Sequence, residues 1–73
     1  MIKNKKVAEE ISLLMLNVTA QINESITHVR DTCTDEEFKT YRLACAKILG
    51  EMLLNVLNPL YASHPDLKPQ GFD

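Results

Sequence analysis

The chain has 73 residues, 45% apolar and 25% charged, with a formal net charge of −2. A sequence this short makes at most one domain, here read as a single unit over 1–73, and by itself covers little core; such chains are held by disulfides, a metal or self-association. Residues 1–31 carry four bases and four acids and residues 32–73 four bases and six acids, so neither half has the basic excess by which nucleic-acid binders neutralise phosphates.

Residues 1–4 read as a short leader, with Lys3, Lys5 and Lys6 as the only local cluster of bases. Asn4 suits an N-cap, and Glu9 and Glu10 follow in the early turns where negative charge suits the helix dipole. Val7, Ile11, Leu14, Val18, Ile22, Ile26 and Val29 then recur at spacings of three and four, which predicts an amphipathic helix over about 5–30. Val7, Val18 and Val29 also repeat every eleven residues, a period that goes with a nearly straight helix. Leu13, Leu16 and Ala20 form a smaller apolar patch off this stripe.

The periodicity breaks over Arg30–Thr34. Thr34-Asp-Glu-Glu37 is a capping box, in which the Thr34 hydroxyl accepts from the residue-37 amide while Glu37 reaches back. Asp35 and Lys39 are a correctly ordered i, i+4 pair. A connection of about four residues makes the two helices antiparallel neighbours.

The second helix is predicted over about 35–62, and its segment Leu43–Tyr61 carries only two charges, Lys47 and Glu51. At 100° per residue, Phe38, Tyr41, Cys45, Ile48, Leu49, Met52, Leu53, Val56 and Leu60 form one broad face. Leu43, Gly50, Leu54, Leu57 and Tyr61 extend it past half the circumference. A helix this apolar needs covering from two directions, and one partner helix covers one of them. Ala46-x-x-x-Gly50 adds a small-residue pair; glycine is unfavourable inside a helix by about 0.5–1 kcal/mol, so a close contact is expected there, either within the hairpin or with a second copy. Pro59 removes the bond to the Asn55 carbonyl, and a kinked continuation is expected because Leu60 and Tyr61 prolong the apolar face. His64-Pro65 ends the helix. The tail from Pro65 is read as extended, with Leu67 and Phe72 as anchors.

No arrangement of chemistry-bearing residues stands out. Cys33 and Cys45 are separated by about three helical turns, roughly 15 Å or more at 1.5 Å per residue, against the 7 Å or so that a disulfide tolerates. Two free thiols suit a reducing cytoplasm. His28, Cys33, Cys45 and His64 lack metal-ligand spacings, and Glu24 with His28 reads as a solvated pair. Cys33 beside a helix N-terminus is surrounded by Asp35, Glu36 and Glu37, which oppose a reactive thiolate. No catalytic residue, cofactor or metal site is assigned. The uncharged run Ile11–Asn23 is polar and too short to span a bilayer, so no membrane partner is expected.

The expectation is an all-α antiparallel hairpin that pairs with a second copy as a four-helix bundle. Leu49, Gly50, Leu53, Leu54, Leu57 and Tyr61 are its self-association surface. The expected role is a non-enzymatic interaction or regulatory protein in the cytoplasm, binding itself and, through the tail, another protein. The alternative is a small nucleic-acid-binding or transcription-regulator-like dimer using the basic leader and exposed helix faces.

Overall fold

The computed structural model describes residues 1–69, so the expected anchor Phe72 lies outside them. The chain is all-helical: α1 spans Lys5–Thr32 and α2 spans Asp35–Met52. A wider π turn over Leu53–Leu57 follows, then α3 over Asn58–Ser63, and a 3₁₀ turn over Pro65–Leu67. Together these make an antiparallel helical hairpin 44 Å long and 20 by 16 Å across.

Local chemistry sets the helix ends. The Asn4 side chain accepts from the Val7 amide at 3.1 Å, and no acid lies in the first turn of α1, so Glu9 and Glu10 fall beyond the strongest part of the dipole. The capping box is complete: the Glu37 amide donates to Thr34 Oγ1 at 3.2 Å and the Thr34 amide donates to Glu37 Oε1 at 3.0 Å. It shortens the connection to Cys33 and Thr34, and α1 runs two residues further than its periodicity indicated. Asp35 and Lys39 make no ion pair among the described residues.

Pro59 neither ends the second helix nor merely bends it. The backbone winds wider just before the proline, with the Asn58 amide donating to the Leu53 carbonyl. An i→i+5 turn takes in one extra residue and lets the helix pass a position that has no amide to donate. Each residue of that turn advances by less than 100°, so the residues after it change face. Leu57, Leu60 and Tyr61 turn inward and are buried with Ala8, while Ile2, Met15 and Leu67 pack against them.

The core is therefore concentrated at the end where the leader meets α3 and the 3₁₀ turn, away from the hairpin turn. Its α1 side departs from the expected stripe. Ala8 and Ser12 are buried, whereas Val7 and Leu14 of that stripe are exposed. Three bulky side chains from across the hairpin fill the space, and small residues on α1 admit them at close-packed density. The inward line runs Ala8, Ser12, Met15 and Thr19, while Ile11, Val18, Ile22, Ile26 and Val29 of the expected stripe are half-buried beside it.

Candidate functional site

Polar bonds along the seam fix how the helices are turned. At the core end, Ser12 Oγ and Tyr61 Oη share a buried hydrogen bond of 2.5 Å. Midway, Thr19 Oγ1 donates to the Met15 carbonyl at 2.9 Å and lies 3.5 Å from Met52 Sδ. Toward the turn, Ser25 Oγ and Tyr41 Oη are 2.7 Å apart. Cys45 is buried in the same seam as a small hydrophobe, in keeping with the habits of free cysteine. Past it the seam is thin, with Phe38 half-buried and Arg42 stacked 5.8 Å from its ring centroid.

The leader and the segment after α3 are tied together at the other end. The Met1 ammonium donates to Ser63 Oγ at 3.3 Å, and His64 Nε2 donates to the Ile2 carbonyl at 2.6 Å. Lys5 and Asp66 form an ion pair. Hydrogen bonding to Lys5 pulls the Asp66 carboxyl below its usual range, and hydrogen bonding to Asp66 raises the Lys5 ammonium. The Thr34 backbone bond similarly lowers Glu37. The segment expected to be extended is thus a docked 3₁₀ turn over Pro65–Leu67, and Leu67 serves as the expected anchor. His64 is half-buried there.

What remains outside is a large apolar surface. Leu43 and Leu54 are 61% and 66% exposed, Ile48 is 53% exposed, and Leu13 on α1 is 61% exposed. Of the six residues expected to carry self-association, Leu53 and Leu54 are exposed and Leu49 and Gly50 are half-buried. Leu57 and Tyr61 are inside the hairpin at 3% and 4% exposure. Uniform helical phase groups those two with Gly50 and Leu54; the π turn separates them. Sequence reasoning missed this because a phase slip leaves no mark beyond Pro59 itself. A Cβ placed on Gly50 meets nothing within 4 Å, so the close contact expected inside the hairpin does not exist.

The surface offers little to a small ligand or metal. A shallow open groove on α2 is lined by Thr34, Glu36, Glu37, Thr40, Tyr41 and Ala44, without a buried polar group aimed into it. No three His, Cys, Asp or Glu side chains cluster among the described residues. Cys33 is exposed beside the turn and Cys45 is buried, both as free thiols. The continuous helical stretch Asp35–Ser63 is long and apolar enough, by length and composition, to cross a membrane, with a mean hydropathy of 1.3 over its best window. The chain matches no protein-family model, no curated protein and no solved structure.

Proposed function

We propose that the protein is a non-enzymatic helical interaction module that works as a homo-oligomer, two hairpins pairing through their exposed apolar surfaces into a four-helix assembly. The observation that carries this reading is its surface. A compact protein of 8.3 kDa exposes about 4,600 Å², whereas this hairpin exposes 5410 Å². The excess, about 800 Å², is what one partner contributes to a standard protein interface. The shape agrees, since the radius of gyration is 14.5 Å against roughly 11 Å for a compact chain of this length. Leu43, Ile48 and Leu54 add exposed apolar side chains to that surface, and exposed apolar side chains gathered in a patch mark interaction sites.

A second copy suits this surface better than a bilayer. Lys47 and Glu51 stand in the middle of the apolar segment, where hydrocarbon would penalise them. The nucleic-acid alternative rests on three leader lysines, of which Lys5 is engaged by Asp66, and the net charge of −2 opposes it. Light scattering through a dilution series tests the reading. A mass above 8.3 kDa that falls on dilution supports it, and 8.3 kDa throughout contradicts it. Salt-dependent binding of generic duplex in the same experiment would favour the alternative.

A further inference from the structure

Self-association alone leaves open which faces meet and in which sense, and α2 carries enough asymmetry to decide both. Leu43, Gly50 and Leu54 follow one another at spacings of seven and four, so they share one outward strip that runs along α2 into the start of the π turn. The strip has exposed leucines at both ends and an opening in the middle, where a Gly50 Cβ would meet no atom within 4 Å beyond its chain neighbours and the backbone of its own helical turns. One flank of the strip carries Lys47 and Glu51, one turn apart; the other carries Ala46 and Leu53. Neither Lys47 nor Glu51 has an ion-pair partner among the described residues.

Resting on the self-association reading, we infer that two copies meet strip to strip through α2, antiparallel, with the two-fold axis passing beside Gly50. Two-fold symmetry permits two arrangements of facing helices. In the antiparallel one each flank meets its own counterpart with the direction reversed. Lys47 of one copy then lies opposite Glu51 of the other, and Glu51 opposite Lys47, giving reciprocal ion pairs. In the parallel one the charged flank lies against Ala46 and Leu53, and both charges go unmatched over apolar surface. Charge complementarity therefore selects the antiparallel pairing, and antiparallel helix dipoles agree with it. Gly50 at the crossing admits the facing backbone closely, which accounts for a glycine that does nothing for its own hairpin. Leu43 and Leu54 of each copy cover the opposite ends of the strip.

The native thiols make this geometry measurable. Cys33 is exposed at the turn and Cys45 is buried, so a nitroxide label goes to Cys33 without mutation. From the turn to Gly50 is about 24 Å of helix at 1.5 Å per residue, so the antiparallel dimer places the two labels roughly 50 Å apart. Double electron–electron resonance should report that distance. A distance below about 25 Å in a sample that light scattering shows to be dimeric would overturn the antiparallel crossing while leaving self-association standing. A sample monomeric by light scattering would overturn both. Loss of the distance with flotation on phosphatidylcholine vesicles would assign the strip to a membrane surface and overturn the inference. Charge variants give a second readout. Lys47→Glu and Glu51→Lys should each self-associate several-fold more weakly than the natural protein, and mixing the two should form the heterodimer in preference to either homodimer. A statistical mixture would contradict the pairing of like flanks.

Discussion

At the residue scale, the Ser12–Tyr61 pair shows how a short chain specifies its core. A serine facing inward is an odd choice for an apolar seam, and its hydroxyl needs a partner once water is excluded. Tyr61 supplies it at 2.5 Å, which fixes the rotation of α1 against the helix carrying Tyr61. Tyr61→Phe leaves the Ser12 hydroxyl without that bond and should cost about 1–2 kcal/mol of unfolding free energy, measured by urea denaturation. The double change Ser12→Ala with Tyr61→Phe should recover part of the loss. Asp66 makes a second residue-scale prediction. Its carboxyl is held below the ordinary range by Lys5, so the contribution of the clasp is complete above the ordinary aspartate value of about 3.9 and is lost as pH falls through the lower folded value. The Lys5 ammonium is raised, so the same clasp also weakens when strongly alkaline pH passes its folded value. Amide signals of the leader should report opening at low pH in the natural protein, and in Asp66→Asn they should lack that titration. An unchanged titration in the variant would place the acid sensitivity elsewhere.

At the element scale, helix ends were legible and helix phase was not. Asn4, Thr34 with Glu37, and His64-Pro65 act within three or four residues of themselves, and each acts as local chemistry predicts. The two-helix topology follows from the short connection. Phase is a longer-range property. On α1 the expected stripe is half-buried at Ile11, Val18, Ile22, Ile26 and Val29, but at the core end the volume of Leu57, Leu60 and Tyr61 selected Ala8 and Ser12 over Val7 and Leu14. On the second helix, uniform spacing put Leu57 and Tyr61 beside Leu54 until the π turn rotated them inward. The candidate surface was accordingly legible in part: Leu53 and Leu54 remain outside, while Leu57 and Tyr61 belong to the hairpin core. Alanine substitution separates the two classes. Leu57→Ala should cost about 2–5 kcal/mol in stability by leaving a cavity. Leu54→Ala should cost the isolated hairpin well under about 1 kcal/mol, as exposed substitutions do, and weaken self-association. Equal costs in chemical denaturation would mean that the π turn does not separate their faces.

At the scale of the whole molecule, the hairpin is a thin rod with one packed end. Ala8, Leu57, Leu60 and Tyr61 form the core where the leader is clasped to the end of α3 and the 3₁₀ turn, and toward the turn the seam thins to half-buried and exposed side chains. A two-helix unit of this kind has too little interior to be independently robust. Covering the outward strip of α2 with a second copy would extend the packed region toward the turn and remove the exposed leucines from water. Removing that apolar area from water is favourable by about 25 cal/mol per Å², and the surplus left after the cost of association adds to the small stability that a chain this size holds. Stability and assembly are then one equilibrium, because whatever binds only the folded state raises its apparent stability by mass action. Thermal unfolding followed by circular dichroism, repeated over a hundredfold range of protein concentration, tests this most directly. The melting temperature should rise steadily with concentration; a melting temperature independent of concentration would contradict self-association as the completion of the fold.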